Sequence, residues 1–244
     1  MYTRNGGTSR PPFESLNVSH AVGDNPDHVV ANLQRIRQAF GAPRLQGMNQ
    51  VHGARVHMLE LAKDTDLQED APCADAMVTS RTGIALMVKQ ADCQAVILVE
   101  PKRKAVAVVH CGWRGSVANL PAKVVERMTS SLDCSPAEMR AAIGPSLGPC
   151  CAEFTSHETL FPAHFRRFMV RNNHFDLWEI TRSQLFAAGL KKDRIEIAGI
   201  CTRCRTDLFF SYRGEGVTGR FATLAMLEPG SERGCLGGES GGFR

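Results

Sequence analysis

Two short apolar runs, AVILV at 95–99 and AVAVV at 105–109, constrain this chain more than any other feature; only Glu100 and the charged turn PKRK at 101–104 separate them. Neither run alternates apolar with polar residues, as a strand with one wet face would, so both read as strands buried on two faces. A sheet covered on both faces needs further layers of structure, which places the chain among layered folds of mixed helix and strand. The runs are far shorter than the roughly 20 residues of a membrane-spanning helix, and no membrane partner is expected.

The neighbouring sequence extends the pattern. DAMVTS (75–80), GIALMVKQ (83–90), MRAAI (139–143) and RIEIAGI (194–200) read as strands bounded by turn residues, and LFFSYRGEGVTGRFATLAML (208–227) reads as strand, Gly-rich turn, strand. NQVHGARVHMLE (49–60) reads as a strand bent at Gly53, with His52 at the bend. Helical stripes run through Val29, Val30, Leu33, Ile36 and Phe40, and again through Val117, Leu120, Val124, Val125, Met128 and Leu132, the latter capped by Ser116 or Asn119. Residues 157–168 and 180–190 also read as helical, with Gly189 closing the second. No linker or repeat divides the chain, which predicts one domain over 1–229 and a Gly-rich, mobile tail over 230–244. The N-terminus lacks the apolar core of a secretory signal, so a cytoplasmic protein is expected. A net charge of +4 without a run of like charges gives no reason to expect nucleic acid binding and leaves small anions as ligands.

Three residues at the ends or bends of apolar strands could carry chemistry: His52 in QVHG, Cys93 in ADC and His110 in VVHCGWRG. Two imidazoles and a thiolate suit a zinc-type ion with one position left open. The same atoms could instead form a Cys93 nucleophile with His110 as its base, or simply a core thiol with two hydrogen-bonded histidines. Arg114, Arg213 and Arg220 lie in glycine-bounded turns where a guanidinium can face phosphate. Glu153 and Asp92 are the nearest carboxylates and candidates for general acid or base; a cap or salt bridge explains Asp92 equally well. Cys201-Thr-Arg-Cys204 has no second pair at a metal-finger spacing. Cys150, Cys151 and Cys111 read as packing thiols, the adjacent pair diverging unless the chain bends.

Taken in order, SLNVSHAVGD, NQVHG, DAMVT, QADCQAVIL, AVVHCGWRG, AAIGPSLG and FFSYRGEGVTGRFA resemble the laccase-domain family, whose members carry the names multicopper polyphenol oxidase and zinc-dependent purine nucleoside phosphorylase. The resemblance implies an α+β fold, a four-layer α/β/β/α sandwich with mixed sheets. It also implies a metal on His52, Cys93 and His110, zinc with copper as the alternative. By the same resemblance, adenosine, inosine, guanosine or methylthioadenosine would be cleaved with phosphate, and adenosine would also be deaminated. The chain departs from the family pattern at Ala152, where a tyrosine is usual before Glu153, and at Cys111, where alanine is usual. Alternatives on the same residues are a Cys-His thiol hydrolase, a hydrolase editing a cell-wall precursor, a copper-dependent polyphenol oxidase, and a zinc-binding module without turnover. Too few histidines are present, and none in His-x-His pairs, for a multicopper cluster.

Overall fold

In the computed structural model of the chain, residues 1–59 and 71–228 are described. The expected mobile tail lies outside them. The strands are β1 (Arg44–Gln46), β2 (Val56–Met58), β3 (Ala76–Thr79), β4 (Ile84–Gln90), β5 (Gln94–Glu100), β6 (Ala105–Cys111), β7 (Arg140–Ile143), β8 (Met169–Arg171), β9 (His174–Phe175), β10 (Ile195–Ile197) and β11 (Phe221–Ala225). The α-helices are α1 (Pro26–Phe40), α2 (Trp113–Val117), α3 (Leu120–Leu132), α4 (His157–Leu160), α5 (Leu177–Ala187) and α6 (Tyr212–Glu215). No helix among the described residues is long and apolar enough to cross a membrane.

A six-stranded sheet runs β10-β7-β5-β6-β3-β2 and a three-stranded sheet runs β1-β4-β11. Both are mixed: β10 with β7, β2 with β3 and β1 with β4 are parallel pairs, and the remaining pairs are antiparallel. Strand alternation explains the layers. Ala105, Ala107 and Val109 of β6 face α3 and α5, packing with Val124, Met128 and Leu185, while Val106 and Val108 point the other way, toward Ile84, Leu86 and Val88 of β4. The opposite face of β4, Ala85 and Met87, joins Ala222 and Leu224 of β11 beneath Ile36 of α1. The order is therefore helix, six-stranded sheet, three-stranded sheet, helix. The unbroken apolar runs are the strands that must serve two cores.

Several local expectations are corrected. The stripe from Val117 to Leu132 breaks into α2 and α3, because Asn119 adopts a left-handed backbone (φ 54°) ahead of Pro121. The 157–168 helix is α4 followed by a 3-10 helix, interrupted at Phe161-Pro162. The 180–190 helix is α5, Leu177–Ala187; Gly189 does close it, one residue after the cap Ala188, in a left-handed conformation (φ 104°). No strand forms at 208–212: Phe209 and Phe210 pack with Phe221 in a separate cluster, and Ser211 caps α6 by accepting the Gly214 N–H. Cys150 and Cys151 lie in a tight turn, both Cys151 and Ala152 donating N–H to the Gly148 carbonyl at 2.9 Å.

Candidate active site

Three chain segments bring His52, Cys93 and His110 together. His110 is the penultimate residue of β6, and the β5–β6 register sets Ala95 opposite His110 and Gln94 opposite Cys111, so Cys93, one residue before β5, lies at the same end of the sheet. His52 sits in the loop before β2 rather than in a bent strand, with a left-handed backbone (φ 57°). Such a conformation is strained for a residue with a Cβ and must be held by its surroundings. Asp75, fully buried, holds it: its carboxylate accepts N–H bonds from Val51 (3.3 Å), His52 (2.9 Å) and Gly53 (2.7 Å). Three successive N–H groups around one carboxylate form an anion nest. Gln50 ties the same loop to β4, donating to the Lys89 carbonyl and accepting its N–H.

Asp75 also fixes the second histidine. Its backbone carbonyl accepts the His110 N–H at 2.7 Å, and its carboxylate meets His110 Nδ1 at 2.9 Å. An N–H at Nδ1 leaves Nε2 free as a ligand or base. One ligand atom each from His52, Cys93 and His110 lies within 4.8 Å of the others. Burial would raise the Cys93 thiol, but the charge and hydrogen bonds of His110, then those of His52, bring it down to about 6. Burial would lower His110, but Cys93 and then Asp75 push it up to about 9. Gly112 lets the three close up, since a Cβ there would lie 2.9 Å from Cys93 Sγ and 3.5 Å from His52 Cδ2. Cys111 points from β6 into the helix-side core, hydrogen-bonded to Ser116, with burial raising its thiol to about 12.

The three side chains line a cavity of about 670 Å³. Its walls include Lys89, Arg114, Arg213 and Arg220, and the rings of Trp113, Phe154 and Tyr212. Arg114 stacks on Trp113 at 4.2 Å. Arg213 lies over Phe154 and donates to the Glu153 carbonyl at 2.9 Å, and Arg220 donates to the carbonyls of Thr218 and Gly219. Gln90 and Gln94 are buried in the lining, and the Gln90 amide and the Gln94 Oε1 have no hydrogen-bond partner among the described residues. Asp92 acts as a latch: it accepts from the Thr202 and Ser211 hydroxyls and the Arg213 N–H, tying the 201–213 loop to the cavity. Glu153 is exposed and absent from the lining; its carbonyl, not its carboxylate, takes part, because the neighbouring buried positions 152 and 154 turn its side chain out.

Sequence reasoning missed Asp75 and Lys89. A lone cation inside the apolar strand IALMVKQ was a usable signal for Lys89; an acidic residue opening the strand DAMVT looks like any turn residue, and nothing local distinguishes Asp75.

The known proteins that this chain is similar to agree with this architecture. It is 32% identical to a Geobacillus stearothermophilus protein named purine nucleoside phosphorylase YlmD, covering 90% of this chain and 86% of that protein. It is 34% identical to a Xylella fastidiosa purine nucleoside phosphorylase over 91% and 88% of the two chains. The crystal structure of YlmD from Geobacillus stearothermophilus superposes with a TM-score of 0.85 at 30% identity, covering 93% of this chain and 90% of that one. The family described as multi-copper polyphenol oxidoreductase laccase matches residues 1–228, and the chain belongs to that family.

Proposed function

We propose that the cavity binds a purine nucleoside together with phosphate and cleaves the glycosidic bond by phosphorolysis, with zinc held by His52, Cys93 and His110. The observation that carries this reading is a single cavity in which that donor set, four cationic side chains and three aromatic rings converge. The donors suit the ion: two imidazoles and a low-lying thiol, one histidine oriented by a buried carboxylate. Zinc in such a site supplies Lewis-acid polarisation and an acidified water.

In the reaction a phosphate oxygen bonds to C1′ of the sugar as the C1′–N9 bond breaks; the purine leaves with the electron pair and takes up a proton, giving free base and the sugar 1-phosphate, ribose 1-phosphate from adenosine, inosine and guanosine and its 5-methylthio derivative from methylthioadenosine. Lys89, Arg114, Arg213 and Arg220 neutralise and orient the phosphate. Trp113, Phe154 and Tyr212 offer flat faces to the base, and the Gln90 and Gln94 amides offer polar atoms to its edge. Adenosine, inosine, guanosine and methylthioadenosine are the proposed substrates. Deamination of adenosine, in which water replaces the 6-amino group to release ammonia, is the accompanying activity. The names of the relatives support the phosphorylase reading.

A second reading has its own observation: Cys93, His110 and Asp75 form a line in which the thiol is lowered and the imidazole raised, as in a Cys-His hydrolase. The copper oxidase reading has less behind it, since among the described residues His52 and His110 are the histidines gathered in a ligand group. Metal analysis of the purified protein and of its Cys93→Ser/His110→Ala variant, run beside chromatography of adenosine and inosine with and without phosphate, separates these readings. Zinc near one per His52–Cys93–His110 site with phosphate-dependent base release is expected. A protein with no metal at His52, Cys93 and His110 that leaves nucleosides intact but cleaves thioester or amide substrates through Cys93 would move the assignment to the hydrolase.

A further inference from the structure

Away from the cavity floor, the turn after β7 and the loop after β10 meet at four cysteines. Cys150, Cys151, Cys201 and Cys204 offer sulfur atoms that all lie within 4.8 Å of one another, and Cys204 Sγ is 3.6 Å from both Cys150 Sγ and Cys151 Sγ. Four thiolates around zinc at about 2.3 Å give a tetrahedron with edges of about 3.8 Å. A disulfide needs sulfurs at about 2.0 Å, and all four residues are free thiols.

The surrounding chain is built for this approach. The turn at Gly148 curls the adjacent pair back so that both thiols reach the C-x-x-C loop. Gly148 has no room for a side chain: a Cβ would lie 2.8 Å from Trp178 Cη2 and 2.9 Å from Cys201 Cβ. Its N–H donates to Cys201 Sγ at 3.3 Å, a bond that favours a thiolate. Ser146 and Cys201 form a parallel bridge, with the Thr202 N–H donating to the Ser146 carbonyl. Four thiolates on a divalent ion leave a charge of −2, and cations are at hand: Arg171 donates to the Cys150 carbonyl at 2.7 Å, and Arg203 and Arg205 flank Cys204.

We propose that Cys150, Cys151, Cys201 and Cys204 form a second, structural zinc site, closed by four sulfurs, that clamps these two loops together. Binding displaces four protons from the thiols and changes no oxidation state. The clamp matters to the cavity because the joined loops carry Leu147, Phe154 and Arg213 into its wall, and Thr202 beside Cys201 bonds Asp92. The site stands apart from the nucleoside reading and does not require it.

The test is elemental analysis and zinc-edge X-ray absorption of the full chain carrying Cys93→Ser and His110→Ala, which disables the other donor set. Retention of one zinc per chain with only sulfur neighbours at about 2.3 Å is expected, as is loss of that zinc on adding Cys204→Ser. In wild type, Cys204→Ser alone should halve the zinc content. Should the serine variant fail to fold, the absorption spectrum of the first variant decides. A zinc-free Cys93→Ser/His110→Ala protein, nitrogen or oxygen neighbours in its spectrum, or four cysteines that all react freely with a thiol reagent in zinc-supplemented protein would overturn the proposal.

Discussion

Replacing Asp75 by asparagine keeps the shape of the side chain and removes one acceptor oxygen and the charge. Four bonds converge on the carboxylate, from His52 N–H and His110 Nδ1 on Oδ1 and from Gly53 and Val51 N–H on Oδ2. In either orientation an asparagine NH₂ faces donors, so one pair of bonds is lost. Hydrogen bonds to a charged group are worth about 1.5–3 kcal/mol each, which sets a ceiling of about 6 kcal/mol. Val51 is 58% exposed and its N–H can turn to water, so about 3 kcal/mol is the expected loss of stability. His110 also loses the group that fixes its tautomer; partners of this kind contribute about 10–100-fold to metal affinity. Burial would raise the Asp75 carboxyl, but the bonds from His110, Gly53 and His52 hold it below its ordinary 3.8. Its stabilisation is therefore present above that value and lost as pH falls through the lower folded value, so the variant should show a flatter acid limb than wild type. Chemical denaturation at several pH values, with chelator competition for metal, measures both effects. Equal stability, equal metal affinity and an unchanged acid limb in the variant would refute the reasoning.

Three further outcomes follow from the same geometry. Gly112→Ala should cost about 1–3 kcal/mol of stability by crowding Cys93 Sγ and should lower zinc occupancy at the His52–Cys93–His110 set, read by elemental analysis. Arg213→Ala should raise KM for phosphate roughly 10–100-fold, as expected for a lost charge-assisted bond, with a much smaller effect on phosphate-free deamination of adenosine. In metal-stripped protein, alkylation of Cys93 should stay fast as pH falls from 9 toward about 6 and then slow, since the thiol is lowered to about 6; a rate that tracks an ordinary thiol would contradict the Cys93–His110 pairing.

The layers were legible because the strands that serve two cores leave an unbroken apolar run, and AVILV and AVAVV occupy β5 and β6. Candidate site residues were legible where a reactive side chain ends such a run, as at His110. What sequence could not convey was long-range convergence. The loop at His52 depends on a carboxylate more than twenty positions away, and nothing near QVHG names Asp75 as its holder. Glu153 misled because proximity in sequence to a glycine-rich motif says nothing about which way a side chain points. The four cysteines look unconnected in sequence because a C-x-x-C pair without a neighbouring pair is incomplete; the partners of Cys201 and Cys204 arrive from a turn about fifty residues earlier, bent by hydrogen bonds to Gly148. The 208–212 segment, apolar enough for a strand, was drawn instead into a cap and a ring cluster by Ser211 and Phe221.

The most direct test of the central claim is phosphorus NMR of the purified protein incubated with inosine and inorganic phosphate. The account predicts a sugar 1-phosphate resonance growing in step with hypoxanthine and at the expense of phosphate. Hypoxanthine appearing with free ribose and unchanged phosphate, or inosine left intact, would contradict it.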